Sequence, residues 1–212
     1  MPKPGAKGHE TIKAFNKLWH ESVDGTWHKM RWLGVKALKT PTDFWVYQEL
    51  ITGIRPDWII ETGTCFGGSA LFMASVLDGL GKGKILTIDI KKPRRPPAHP
   101  RIEYYTGSSV DPKTLAYVRR RISGKVLVIL DSDHSMGHVF KELEAYSWMV
   151  SPGSYLIVED TSLNGDVRKD HGPGPREALE KWLPTQDRFA VDEGCERYYL
   201  TFHPGGYLRC VR

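Results

Sequence analysis

A chain of 212 residues that is 40% hydrophobic and 26% charged can bury most of its unfolded surface in one domain, and this balance excludes disordered and fibrous classes. Three cysteines, Cys65, Cys195 and Cys210, are an odd number without metal-ligand spacing, which argues against a disulfide framework or a zinc site and fits a reducing, cytoplasmic compartment. The formal charge of +5 would allow an acidic partner, but much of the excess lies in Lys91-Lys92-Pro93-Arg94-Arg95 and Arg119-Arg120-Arg121, which read as solvated surface rather than a nucleic-acid footprint.

The first nine residues lack the apolar core of a signal peptide, and no apolar run is long enough to span a membrane. Residues 10–24 have helical spacing through Ile12, Phe15, Leu18 and Trp19, and an aromatic segment with Trp27, Met30, Trp32 and Leu33 follows. Residues 19–33 suit either a helical cap over a sheet or a lid over a pocket. Thr40-Pro41-Thr42-Asp43 then reads as a turn and N-cap for a helix ended by Gly53 and Pro56.

From Asp57 the pattern changes to strands alternating with helices. Trp58-Ile59-Ile60 is a short strand, residues 61–69 a glycine-rich turn, and Ala70, Met73 and Leu77 begin a helix. Lys84 to Asp89 and Arg101 to Tyr105 are the next strands, separated by a proline-rich basic loop, and Asp111-Pro112 opens a helix to about Arg121. Residues 125–130 and 154–158 are apolar strands ending in acids, with a helix carrying Val139, Leu143, Tyr146 and Val150 between them. A flexible loop through Asn164, Gly165, Gly172 and Pro175 leads to a short helix over 176–183. Phe189-Ala190-Val191 and Tyr198-Tyr199-Leu200-Thr201-Phe202 read as a final antiparallel pair. This alternation implies a mostly parallel α/β sheet with right-handed crossovers.

In such a sheet the strand tips share one edge, and ligands bind where the winding reverses. That places Glu61, Asp89, Asp131, Glu159 and Asp160 on one rim. Asp89 suits a ribose, while Gly63, Thr64, Gly67 and Ser69 form a loop for a ligand approaching backbone. An acid at the start of that loop would repel a pyrophosphate, so the dinucleotide fingerprint is absent and S-adenosylmethionine is the adenosine ligand indicated. Asp131, Glu159 and Asp160 are hard oxygen donors that favour Mg²⁺ over zinc. His134, three residues beyond Asp131, is the candidate general base. Asp133 reads as a cap for the helix after Ser135 or a partner in the metal site, and Ser109 as a neighbour of adenine. His20, His28 and His171 have no comparable context.

Glu61-Thr62-Gly63-Thr64 with Gly67-Gly68-Ser69-Ala70, Leu130 to His134, Ile157 to Thr161, and Thr201 to Leu208 closely resemble the cephalosporin hydroxylase family. Despite its name, that family is similar to Rossmann-like class I S-adenosylmethionine-dependent O-methyltransferases, including enzymes of cephamycin biosynthesis and rhamnosyl O-methyltransferases. The similarity covers roughly residues 26–210. It implies a seven-stranded sheet with an antiparallel last pair, and a metal held by an acid after the fourth strand and an acid pair after the fifth, at Asp131, Glu159 and Asp160. In the similar catechol-type enzymes a lysine three residues after the first metal acid is the base; His134 stands at that spacing here.

The expected organisation is a helical cap over residues 1–52 and an S-adenosylmethionine-binding domain over 53–212. The expected activity is Mg²⁺-dependent methyl transfer to a hydroxyl of a sugar, catechol-like or natural-product acceptor, with no nucleic-acid or membrane partner and with homo-oligomerisation left open. The alternatives are a nucleic-acid methyltransferase, which would use the basic loop, and a non-catalytic cofactor-binding protein.

Overall fold

The computed structural model describes residues 5–21, 25–164 and 171–212, so residues 165–170 of the loop expected to be flexible lie outside the described residues. The N-terminal part consists of α1 (Ala6–Glu21), a 3₁₀ turn (Thr26–Lys29), the hairpin strands β1 (Arg31–Trp32) and β2 (Val35–Lys36), and α2 (Pro41–Ile54). The cap is therefore not wholly helical. Leu33 and Gly34 both have positive φ, 46° and 82°, and so reverse the chain in two residues. Thr40 caps α2 by accepting a hydrogen bond from the Asp43 amide at 3.0 Å, and Pro41 occupies the first turn, where it sacrifices no helical donor.

The remaining strands are β3 (Trp58–Thr62), β4 (Lys84–Asp89), β5 (Ile102–Thr106), β6 (Val126–Leu130), β7 (Tyr155–Val158), β8 (Phe189–Val191) and β9 (Tyr207–Cys210). They form a seven-stranded sheet in the order β5-β4-β3-β6-β7-β9-β8. The first five are parallel, and β9 runs antiparallel to both β7 and β8. From β3 the chain winds outward to β4 and β5, then returns to the other side of β3 to lay down β6 and β7. The winding therefore reverses between β3 and β6, opening a crevice at their C-terminal ends.

Strand side chains alternate between faces, so one sheet serves two apolar layers. Ile60, Leu86, Val128, Leu130, Leu156 and Val158 pack on one side with α4 (Pro112–Arg121), α5 (Met136–Tyr146) and α6 (Pro175–Trp182). Ile59, Ile85, Leu127, Ile129 and Ile157 pack on the other with α2 and α3 (Gly68–Leu80). Because α2 contributes Phe44, Tyr47 and Ile51 to this second layer, it is part of the sheet's own core. No helix is long and apolar enough to cross a membrane among the described residues.

Residues 198–202, expected to be a strand, form a turn and loop; the last strand is Tyr207–Cys210. A carboxylate explains the difference. Asp43, fully buried, accepts hydrogen bonds from Thr201 Oγ1 at 2.6 Å and the Phe202 amide at 3.0 Å, drawing this segment onto α2 and away from the sheet. Tyr199, with φ 64°, makes the corresponding bend.

Candidate functional site

The parity of β6 and β7 determines where the acids point. Asp131 follows Leu127 and Ile129 on the α2 side, and Glu159 follows Tyr155 and Ile157 on the same side. The two residues are neighbours across the sheet, since the Glu159 amide donates to the Leu130 carbonyl at 3.0 Å. The group that meets them is Lys39, just before α2, whose Nζ contacts Asp131 Oδ2 and lies 2.5 Å from Glu159 Oε2. Tyr47, one face of α2 further on, donates its hydroxyl to Glu159 Oε1 at 2.5 Å. Burial alone would strip the Lys39 proton, but the two carboxylates hold it on and push its pKa above the ordinary lysine range. Burial also opposes the charge on Asp131, yet Lys39 and His134 hold its pKa down to about 2. Burial, and then the charge of Asp131, push Glu159 up to about 7.

Asp160 turns back towards the same spot. Its φ of 56° is uncommon for a residue other than glycine, and its amide donates to His203 Nδ1 at 3.2 Å, which fixes the bend. His134 Nε2 then sits 3.2 Å from Asp131 Oδ1 and 3.4 Å from Asp160 Oδ2. Burial works against its charge, but the bond to Asp131 and the charge of Asp160 push the imidazole up to about 9. Asp131, His134 and Asp160 each offer a ligand atom within 4.8 Å of the others. Glu159 is not in that cluster, because its carboxylate is turned inward and occupied by Lys39 and Tyr47. Asp133 is exposed and accepts from the Ser135 amide at 2.8 Å, the helix-capping arrangement.

The glycine-rich loop lies across the crevice from these acids. Gly63 has φ 90°, and a Cβ there would sit 1.8 Å from the Asp131 carbonyl oxygen. A Cβ on Gly68 would sit 2.2 Å from the Lys36 carbonyl oxygen, and one on Gly67 would sit 2.8 Å from Pro97 Cδ. The absent side chains thus make room for the chain itself. Asp89 accepts from the Cys65 and Lys91 amides, each at 2.9 Å, and each of its oxygens keeps a lone pair for a further donor.

Glu61, one of the acids expected on the rim, stands behind the loop rather than in the cavity lining. Its side chain is fully buried and accepts from Ser69 Oγ at 2.5 Å and Thr87 Oγ1 at 2.6 Å, while Thr87 meets Thr64 at 2.8 Å. It braces the loop against the sheet from behind. Ser109 is likewise buried, 3.0 Å from His138 Nε2. Burial raises the Glu61 pKa from 4.5 to about 7, so the folded state binds its proton more tightly than the unfolded one. Stability from this proton is full below pH 4.5 and is lost as pH rises towards 7. Glu61→Gln is therefore expected to gain about 2 kcal/mol over the wild type between pH 5 and pH 8, read from urea unfolding at both values. A gap that does not change with pH would contradict the assignment.

Both halves open into one cavity of about 1770 Å³. Gly63, Thr64, Ser69 and Asp89 line one part; Asp131, His134 and Asp160 line the other; Glu61, Gly67 and Ser109 lie outside the lining. His20, Trp27, His28, His171 and Phe202 form much of the remaining wall, with Trp27 and His28 stacked at 3.6 Å and His20 4.5 Å from Phe202. Three histidines without a sequence context thus reach the cavity. Trp32 turns instead to Ser75 and Phe72. The basic segment 91–95, expected to be simple solvated surface, is exposed at the cavity mouth and is tethered through Pro97, whose carbonyl accepts from Tyr104 at 2.8 Å.

A sheet of this order, closed by an antiparallel pair and carrying acids at the tips beside the switch point, defines a Rossmann-like fold of the class I methyltransferase type. The chain belongs to the rhamnosyl O-methyltransferase/CmcI family, whose model matches residues 24–211. A rhamnosyl O-methyltransferase of Mycobacterium leprae is 40% identical over 192 residues, covering 86% of this chain and 83% of that protein. The Mycobacterium tuberculosis protein of the same name is 35% identical over 195 residues, covering 86% and 78%. A structure of CmcI with Mg and SAM superposes with a TM-score of 0.69 at 22% identity, covering 87% of this chain and 78% of that one, a likeness of fold.

Proposed function

We propose that the protein is a divalent-metal-dependent, S-adenosylmethionine-dependent O-methyltransferase that acts on a hydroxyl of a sugar-bearing small molecule. The observation that carries this reading is the meeting, in one cavity at the switch point, of a glycine loop with a ribose-competent acid and a cluster of two carboxylates with an imidazole. The mycobacterial relatives named as rhamnosyl O-methyltransferases support the acceptor class, and the CmcI structure with Mg and SAM supports the pair of cofactors. The stacked Trp27 and His28 rings offer a flat apolar face of the kind a sugar ring packs against.

The residues present suit both groups. Asp89 would take the ribose hydroxyls, Gly63, Thr64 and Ser69 would lie along the cofactor, and Glu61 and Gly67 would act at one remove by shaping the loop. Ser109 would stand behind the adenine end, its hydroxyl turned to His138. Asp131, Glu159 and Asp160 are hard oxygen donors suited to magnesium. When bound, S-adenosylmethionine supplies an electrophilic methyl group, and magnesium lowers the pKa of the acceptor hydroxyl. His134, held between Asp131 and Asp160, is protonated at neutral pH while those carboxylates are uncompensated, and it would receive the hydroxyl proton only in the neutral form that a cation on the same carboxylates favours. Of the residues before 53, His20, Trp27 and His28 would cap the cavity, whereas α2 belongs to the core of the cofactor-binding part.

The test is transfer of a labelled methyl group from S-adenosylmethionine to a rhamnose-containing glycoside by the purified protein. Activity should vanish in excess chelator and return with Mg²⁺. Transfer that persists at full rate in chelator would remove the metal from the mechanism.

A further inference from the structure

Lys39 is the least expected group in the site. Its side chain is 4% exposed, and an ammonium is costly to bury unless it is paired. Its carboxylate partners are remote in sequence, standing 92 and 120 positions further along the chain. Conversely, Asp131 and Glu159 are adjacent acids on one face of the sheet, and without a cation between them they would repel each other. The Lys39 nitrogen occupies the position between Asp131 Oδ2 and Glu159 Oε2 that an oxygen-ligated cation would take.

We propose that Lys39 is a tethered placeholder cation: it holds Asp131 and Glu159 together in the metal-free protein and releases Glu159 Oε2 when a divalent ion arrives. The proposal rests on the metal-dependent reading above and explains why Glu159 stands apart from the Asp131–His134–Asp160 cluster. Metal uptake is then an exchange at Glu159 rather than the filling of a void. Formal charge supports retaining the lysine nearby, because the ammonium and a divalent ion together balance the carboxylates of Asp131, Glu159 and Asp160. A second observation points to the same oxygen. His203 Nε2, fully buried and without a hydrogen-bond partner among the described residues, lies between two carboxylates, 3.5 Å from Asp43 Oδ2 and 3.8 Å from Glu159 Oε2, and Asp43 Oδ2 already accepts from Thr40 and Phe202. The other oxygen, Oε1, is anchored by Tyr47, so Glu159 has one fixed oxygen and one exchangeable one.

Two measurements on the full chain with S-adenosylhomocysteine present test this. Calorimetric titration with Mg²⁺ should show Lys39→Met binding at least tenfold more tightly than the wild type, because the competing cation is gone. In wild-type protein labelled with ¹⁵N-lysine, the ζ-ammonium signal of Lys39, assigned through Lys39→Arg, should shift on Mg²⁺ addition. If Lys39→Met does not fold, the signal of the wild-type protein decides alone. Equal or weaker Mg²⁺ affinity in a folded Lys39→Met, or a Lys39 signal that does not move while the wild type takes up Mg²⁺, overturns the placeholder and leaves the metal reading standing. A wild type that takes up no Mg²⁺ overturns both.

Discussion

Asp160→Asn is expected to lower Mg²⁺-dependent kcat by at least about a thousandfold, roughly 4 kcal/mol of transition-state stabilisation. Affinity for S-adenosylhomocysteine should stay within about threefold, on the order of 0.6 kcal/mol or less. The two readouts separate because Asp160 faces the His134 side of the cavity, whereas Asp89 and the glycine loop lie across the crevice. Asp160 is also a cleaner probe than Asp131. Removing Asp131 would take one of the two carboxylates from the buried Lys39 ammonium and free one side of His134, a loss of fold stability that would confuse any kinetic comparison. Asp160 keeps its bend through the His203 contact to its backbone, which the substitution leaves in place. Rates measured across a Mg²⁺ titration would decide, and a variant that regains full kcat at high Mg²⁺ would show Asp160 contributing affinity alone.

Asp43→Ala should be the most destabilising single change outside the strand tips. The carboxylate is fully buried and accepts from Thr40 Oγ1 at 2.7 Å, Thr201 Oγ1 at 2.6 Å, Tyr207 OH at 2.8 Å and the Phe202 amide at 3.0 Å. Alanine leaves the Thr201, Tyr207 and Phe202 donors without that acceptor, while Thr40 can still turn to Thr42 Oγ1 at 2.9 Å. A loss of about 4 kcal/mol is expected, or a fall in Tm of about 10 °C for a chain of this size. The effect reaches the site because the same network holds the segment that carries His203, which in turn holds Asp160. Differential scanning calorimetry would measure it, with Thr201→Ala as the comparison that removes only one donor. A drop no larger than that of Thr201→Ala would show that the network relaxes around the loss.

The sheet was legible because it is written locally: apolar runs that end in acids, glycine turns, and helices of the right length between them. The convergence of Asp89, Asp131 and Asp160 on one rim followed from that alternation alone. Lys39, Asp43 and His203 were not legible, since their partners lie far along the chain and a lysine next to Thr40-Pro41 carries no periodic mark. Tyr198 to Phe202 has the aromatic and β-branched composition of a strand, but the buried Asp43 carboxylate competes for its backbone and wins. Glu61 illustrates the opposite limit. Its place at a strand tip was readable, but the direction of its side chain depended on Ser69 and Thr87 meeting it inside the core.

The near-contact of Gly68 with the Lys36 carbonyl has a mechanical consequence. Backbone lies against backbone there, with no flexible side chain to absorb a displacement, and Lys36 is three residues from Lys39. A displacement of the glycine loop would therefore be passed, as through a lever, to the segment that carries Lys39. Whatever factor relates cofactor occupancy to cation affinity through that lever must be the same in both directions, because coupling between two bound ligands is symmetric.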